Sequence, residues 1–298
     1  MDGSGDSLDQ SEDVLMSKRR DIEGHIRSLE EISDIMGAMK NLAVLETQKL
    51  GRLLSAQERV VSTMRAAGTD LLAFHPEALP PNEETRSLYV AIGSERGLCG
   101  DYNDQVLSAI QERLRGETNK APVLLSVGGK LAARLAEHGY VTASIEGASV
   151  AEEVQRVIVQ VMDRVQELQT REAPGLPLTM TVISHLVETR EVVAQPLRAF
   201  EDAPGPIRRF TDPPLLNLPS RLVLRQLIEL FLFSLLHKIF YGALLAENRA
   251  RVSHLEGAIQ HLEKEASELE RKRNGLRQEE ITQEIEVLML SVERLRGR

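Results

Sequence analysis

GSERGLCGDYN, residues 93–103, follows the strand-like run Leu88-Tyr89-Val90-Ala91-Ile92 and gathers Gly93, Gly97, Gly100 and the chain's single cysteine, Cys99, into one loop. Three readings compete: a phosphate-binding loop, a cysteine nucleophile, or a tight turn at the head of an α/β unit. A Walker-type loop needs a lysine and a Ser/Thr after its glycines. Here Gly97 is followed by Leu98, Cys99, Gly100 and Asp101, whose carboxylate repels phosphate, and the dinucleotide spacing G-x-G-x-x-G is missing as well. A reactive thiolate needs a nearby base or a helix N-terminus. Asp101 is well placed to cap a following helix, but a base would have to come through space, from His75 or His138. The turn needs least, since glycine admits positive φ and close backbone approach and a buried cysteine packs as a small hydrophobe. The loop therefore predicts a strand-to-helix turn in which Cys99 packs rather than reacts.

Working outward, strand-like runs at 88–92, 122–127, 141–145 and 178–186 alternate with helical segments at 101–115, 129–137 and 150–168. Strands separated by helices of that length predict a small, mostly parallel α/β domain over 86–210, with 192–210 adding one or two edge strands. VGGK, residues 127–130, is a second strand-to-helix turn without the full phosphate motif. Proline clusters close the domain on both sides, FHPEALPPNEETR at 74–86 and TDPPLLNLPS at 211–220, because proline lacks the donor that a helix interior requires.

The flanks have a different period. Over 14–73 proline is absent, and Ile22, Leu29, Met36, Ala43, Leu50, Met64 and Leu71 recur at heptad spacing, with a second row at Ile32, Met39, Leu53, Val60 and Ala67. These rows predict the seam of one coiled-coil helix of roughly 59 residues, ~88 Å long. Glu46 and Gln57 interrupt the seam, which requires looser packing or a different partner there. Over 221–298 proline is absent again. Leu255, Leu262, Leu269 and Leu276 are spaced by seven, and Ile281, Ile285, Leu288, Val292 and Leu295 follow at 4-3-4-3. This second helix is ~110 Å long if unbroken. Neither helix buries its seam alone. The expected fold class is thus α/β: a long antiparallel coiled coil of the N- and C-terminal helices, 14–73 with 221–298, plus the small mostly parallel α/β domain. Self-association through the seams is the alternative. Residues 1–13, MDGSGDSLDQSED, are acidic and polar and are expected to form a disordered tail.

Composition narrows the function. At 298 residues the chain holds about two domains of ordinary size. Aromatic residues are 3% and charged residues 27%, a balance that suits long solvated helices. The net charge of -9 argues against nucleic acid as a partner. One cysteine excludes an internal disulfide and a cysteine-based zinc site. The best membrane candidate, IELFLFSLLHKIFYGALLA at 228–246, has only eight uncharged residues between Glu229 and Lys238, short of the ~20 a spanning helix needs. The chain is therefore expected to be soluble or held at a membrane by other proteins. His254 and His261 lie seven apart on one helix face, but no carboxylate or further histidine completes a metal site. No metal, cofactor or catalytic constellation is expected.

Three segments in order resemble one family. EISDIMGAMKNLAV (31–44) resembles the N-terminal helix motif of F-type ATP synthase gamma subunits through Ala38, Met39 and Lys40. The 93–103 loop resembles the Arg-Gly-Leu-Cys-Gly loop that opens that family's central α/β domain, through Arg96, Gly97, Leu98, Cys99, Gly100 and Asn103. RQEEITQEI (277–285) resembles its C-terminal motif through Arg277, Gln278, Ile281, Thr282, Gln283 and Glu284, and LLAENRARVSHLEGA (244–258) is a weaker match. The resemblance spans nearly the whole chain after residue 18 and shares the helix–domain–helix layout.

The resemblance implies a non-enzymatic central-stalk rotor, one copy per complex. Its partners would be alpha- and beta-type nucleotide-binding subunits, an epsilon-type subunit and the membrane c-ring, at the cytoplasmic face of the cell membrane. Met39, Lys40, Arg277, Gln278, Ile281, Thr282, Gln283 and Glu284 would then contact the catalytic hexamer. There are departures from the family pattern. Glu46, Thr47 and Gln48 precede Lys49 and Arg52 where the family continues with basic residues, and an Asp-Asn pair is replaced near Gln260-His261. Together with the acidity, these mark a divergent member, with the alternative, often sodium-linked ATPases as the candidate branch. A stand-alone coiled-coil scaffold with an α/β binding domain and a cysteine-dependent enzyme are the competing readings.

Overall fold

The computed structural model describes the backbone of residues 5–79, 85–115, 122–140, 143–172, 178–189, 191–200, 210 and 212–296. Its elements are α1 (Gly5–Phe74), β1 (Arg86–Ile92), α2 (Tyr102–Arg115), β2 (Val123–Val127), α3 (Gly129–Glu137), β3 (Ala143–Ile145), α4 (Val154–Glu172), β4 (Leu178–His185), β5 (Val192–Pro196) and α5 (Ser220–Arg296). Proline sets the ends of the long helices. α1 stops at Phe74, and Pro76 opens a single 3-10 turn, Pro76–Ala78. α5 starts just after Pro219, whose carbonyl accepts the amides of Leu222 and Val223 at 2.9 and 3.1 Å. Residues 5–13, expected in a disordered tail, continue α1 instead. No proline interrupts this stretch, and an acidic composition suits the positive end of a helix dipole.

The five strands are ordered β3-β2-β1-β4-β5. β3, β2, β1 and β4 are parallel, and β5 closes the edge antiparallel to β4. Only this one strand lies in the described part of 192–210; residues 201–209 lie outside the described residues. Val90 at the centre pairs with Leu125 on one side and Val182 on the other. Alternation along β1 serves two cores. Leu88, Val90 and Ile92 join Val154, Val157, Ile158 and Val161 of α4, in a cluster that also takes in Leu50, Leu54 and Val61 of α1 and Phe231 and Leu235 of α5. Tyr89 and Ala91 face the other way, against Val106, Leu107 and Ile110 of α2 and Leu131 and Leu135 of α3. A parallel sheet covered on both faces has strands that read as unbroken apolar runs, which is how β1 and β2 look in sequence.

The chain divides into two compact units, residues 1–41 with 255–298, and residues 42–254. Within each, α1 and α5 pair antiparallel. In 42–254, Gln57 Nε2 donates to the Ser234 carbonyl at 3.0 Å and Lys238 lies 3.6 Å from Glu58. Gln57, an interruption in the expected seam, thus finds a backbone acceptor across the helix pair. In the other unit the partner number falls as the residue number rises: Arg19–Glu280 at 3.1 Å, His25–Glu265 at 4.0 Å, Lys40–Glu256 at 3.9 Å. α5 also contains an 18-residue window apolar enough to cross a membrane by length and composition, which the break at Glu229 and Lys238 had argued against. Of that window 56% is buried inside the protein, with Phe231, Leu235, Leu236 and Phe240 in the core.

One of the two expected seam rows is displaced. Leu29, Ala43, Leu50 and Leu71 are buried as expected, but Ile32 and Val60 are 46% and 39% exposed. The second row is instead Ile26, Leu54, Val61 and Gly68, on a 4-3 phase that also passes through half-buried Ser33, Lys40 and Thr47. Counting large apolar residues favours the wrong row, because small and polar residues occupy the true one where it meets α5. The displacement predicts that Val61→Ala destabilises the chain by about 1–3 kcal/mol. Val60→Ala stays within about 0.5 kcal/mol of wild type. Urea denaturation of the two variants side by side distinguishes the phases.

Candidate functional site

The 93–101 loop leaves β1 through a bond from Gly93 N–H to the Val127 carbonyl, 2.9 Å. Position 93 must be glycine: a Cβ there would lie 2.3 Å from Leu131 Cβ and 2.7 Å from Asn103 Oδ1. Gly100 has φ +63°, and Leu98, a non-glycine in the same left-handed region, has φ 64°. Asn103, on the first turn of α2, reaches back to hold the loop. Its Oδ1 accepts Ser94 N–H at 2.9 Å, and its Nδ2 donates to Ser94 Oγ at 2.8 Å. The Glu95 carboxylate accepts the amides of Gly129 and Gly147 at 2.9 and 2.7 Å, which ties the loop to the start of α3 and to the chain after β3. Cys99 is 4% exposed and its Sγ donates to Ser94 Oγ at 3.4 Å. Burial pushes its thiol up from the ordinary value, so the sulfur is a packed thiol and a poor nucleophile.

The outer side of the loop is gripped by α5. Arg251 donates from Nε to the Gly97 carbonyl and from Nη2 to the Arg96 carbonyl, both at 3.2 Å, and from Nη1 to Asn248 Oδ1 at 3.3 Å. Its guanidinium also pairs with the Glu247 carboxylate one turn earlier. Glu247 and Arg251 are 3% and 7% exposed. Burial pushes the Glu247 carboxyl up to about 7, against the opposing pull of Arg251. Tyr102 O–H donates to the Ala243 carbonyl at 3.0 Å, and the His185 ring stacks on Tyr102 with centroids 4.0 Å apart. A cavity of about 320 Å³ lies beside this contact, lined by Cys99, Asp101, Tyr102, His185, Arg249 and His254 among others. Among the described residues no group of three or more His, Cys, Asp or Glu side chains can hold a metal ion. The arrangement is a clasp: directional bonds to backbone carbonyls, with a buried ion pair at its centre.

Sequence reasoning marked the loop and missed its grip. Glu247, Asn248 and Arg251 all fall in LLAENRARVSHLEGA, the segment with the weaker resemblance, and the i,i+4 Glu–Arg spacing was the available signal. Glu95 carried no signal, since its partners are backbone amides far along the chain.

The expected contact residues in the unit 1–41 with 255–298 divide. Arg277, Gln278, Ile281, Thr282 and Glu284 are exposed, with Thr282 Oγ1 donating to the Gln278 carbonyl at 2.9 Å. Gln283 is half-buried, and its Oε1 is a buried atom without a hydrogen-bond partner among the described residues. Glu280, which no motif singled out, is buried and paired with Arg19. Met39 and Lys40 are half-buried on α1. Lys40 pairs with Glu256, and at 1.5 Å per residue that level of α5 is about 30 Å from Arg277. Lys40 and the 277–284 group therefore lie at separate levels of the helix pair rather than opposite one another. Within and beyond that group, Ile281, Ile285, Leu288 and Val292 are 46%, 51%, 64% and 49% exposed.

A family model described as ATP synthase matches residues 18–293. The ATP synthase gamma chain of Lactococcus lactis subsp. cremoris (strain MG1363) is 26% identical over 280 residues, 89% of this chain and 94% of that one. The gamma chain of Clostridium acetobutylicum is 22% identical over 291 residues, 95% of this chain and 98% of that one. In fold the chain is similar to one in the rotor of the Euglena gracilis mitochondrial ATP synthase in rotational state 1, with TM-score 0.59 and 16% identity over 89% of this chain and 99% of that one. A chain of the OSCP/F1/c-ring assembly of the same enzyme in rotational state 3 gives TM-score 0.60 and 17% identity over 94% and 95%. A match that runs through both helices and the sheet does not favour a stand-alone scaffold. With its motifs, fold and relatives in agreement, the chain belongs to the ATP synthase family, as a gamma chain.

Proposed function

We propose that this chain is the central-stalk rotor of a rotary F-type ATP synthase, carrying torque between a membrane ion-driven ring and a catalytic hexamer and performing no chemistry itself. The observation that carries this reading is the exposed apolar row Ile281, Ile285, Leu288 and Val292 near the end of α5. An exposed apolar row marks an interaction surface, and a smooth apolar contact suits a part that must turn inside its partner. Exposed Arg277, Gln278, Thr282 and Glu284 beside it supply polar catches, with Met39 and Lys40 as contacts at another level. Partners in this reading are alpha- and beta-type nucleotide-binding subunits around the helices, with an epsilon-type subunit and the c-ring at the sheet domain. One copy serves each complex, held peripherally at the cytoplasmic face of the membrane. The clasp at Arg251 supports the same reading, because torque entering the sheet domain must pass to the helices without slip.

The purified chain is expected to hydrolyse no ATP, and to assemble as one copy with alpha- and beta-type subunits. Failure to enter such a hexamer removes the rotor reading. Truncation from Arg277 onward should lower ATP-driven ion transport while the sheet domain stays folded; tight coupling in the truncated complex would show that the 277–284 catches are misassigned.

The clasp makes a separate prediction about stability. The folded-state value of Glu247, about 7, lies above its ordinary 4.5. The folded state therefore binds this proton more tightly than the unfolded chain, and the stability it contributes is lost as pH rises through that window. Removing Arg251 leaves the carboxylate buried without its counter-charge, which costs about 3–5 kcal/mol when the carboxylate is ionised. Urea denaturation of Arg251→Ala should show a larger loss at pH 8 than at pH 5, where Glu247 is protonated, by up to about 1.4 kcal/mol for the one pH unit above its folded value of about 7. Equal losses at both pH values would mean the ion pair contributes nothing beyond packing.

A further inference from the structure

Glu46 breaks the heptad pattern of α1, and the structure gives that break a purpose. Its carboxylate, on a side chain 15% exposed, accepts the Ala151 N–H at 2.6 Å. Ala151 opens the 3-10 turn Ala151–Glu153 that leads into α4. The first N–H groups of a helix have no partner within it, and the dipole there favours an anion. The local sequence supplies no side-chain cap, because the preceding residue is Val150. The cap comes from α1, 105 residues away in the chain.

One turn further along α1, Lys49 pairs with Glu152 in the same 3-10 turn and lies 3.8 Å from Glu46. The Lys49 ammonium holds the Glu152 carboxyl below its ordinary range. Beside these polar contacts, Val154, Val157, Ile158 and Val161 of α4 share a core with Leu50 and Leu54 of α1. Apolar packing holds the helices together but is non-directional. The bond from Glu46 is directional, and it sets where along α1 the start of α4 sits.

We propose that Glu46 is a positioning residue that locks α4, and with it the sheet domain, to α1, so that torque on the domain reaches α1 without slip. This role rests on the rotor reading, whereas the Glu46–Ala151 contact does not. It complements the clasp, which holds the same domain to α5 through the Arg96 and Gly97 carbonyls.

The test uses Glu46→Ala and Glu46→Gln in the assembled ATP synthase, reconstituted into phospholipid vesicles, with ion transport and ATP hydrolysis measured together. In Glu46→Ala, ions moved per ATP should fall while hydrolysis persists. Glu46→Gln, whose amide oxygen still accepts the bond, should recover most of the ratio. In the full chain, exchange of the Ala151 amide should speed up about tenfold or more in Glu46→Ala. If Glu46→Ala does not fold, Ala151→Pro deletes the donor at a position where a helix start tolerates proline, and should give the same loss of coupling. A wild-type ratio of ions to ATP in the assembled Glu46→Ala or Ala151→Pro complex overturns the proposal. A wild-type chain that fails to assemble, or moves no ions, overturns the rotor reading instead, and the amide exchange result stands apart from both.

Discussion

The constraint on which the structure depends is that two proline-free helices, α1 and α5, carry apolar faces that neither can bury alone. Their antiparallel pairing is the solution, and it leaves the intervening residues to fold as a sheet domain between the two strands of the pair in sequence. The sheet is not an independent addition. One of its faces shares a core with Leu50, Leu54 and Val61 of α1 and with Phe231 and Leu235 of α5. Burial drives such a cluster together without itself specifying directions. Directional register comes in addition from elsewhere.

It comes from a few polar contacts to backbone groups. Arg251 takes two carbonyls of the 93–101 loop, Tyr102 takes the Ala243 carbonyl, and Glu46 takes the Ala151 amide. Backbone partners are fixed in space by the elements they belong to, so each such bond sets a register that packing leaves open. The cost is a buried ion pair at Glu247 and Arg251, with the carboxyl pushed up to about 7 by burial. Replacing such a pair with apolar residues often stabilises a protein. Retaining it makes sense where direction matters more than net stability.

Much of this fold was legible in the sequence because its signals are local. Proline clusters marked the ends of the long helices, and the change from heptad spacing to short apolar runs between helical segments marked the sheet; α3 lies where its run predicted, at Gly129–Glu137. The second seam row was not legible. Whether Val60 or Val61 faces α5 depends on how the partner's side chains fit, and Ser33, Lys40 and Thr47 hide the true row among polar residues. The start of α1 is not legible either, since an acidic stretch reads alike as a tail or as a helix N-terminus. At the site, the glycines and Cys99 announced a turn through their own conformational needs. Arg251 and Glu95 act on backbone groups, which carry no residue identity, so nothing in the loop's sequence pointed to them.

On the proposed rotor reading, the distribution of polar and apolar contact along α5 answers opposite mechanical needs. Where the sheet domain must not slip, the helix offers Arg251, Asn248 and Glu247, each bonded and nearly free of solvent. Near its end the same helix offers Ile281, Ile285, Leu288 and Val292 in exposed positions. Directional bonds resist sliding in proportion to the geometry they lose, whereas apolar surface lets a partner move across it at nearly constant free energy so long as the area covered stays the same. A rotor needs both properties in one continuous element, rigid attachment where torque enters and low resistance where it turns. Gln283 lies within this exposed stretch, half-buried with a buried oxygen unpartnered among the described residues, next to the exposed Thr282 and Glu284. A helix that served only to stabilise its own chain would gain nothing from an exposed apolar row.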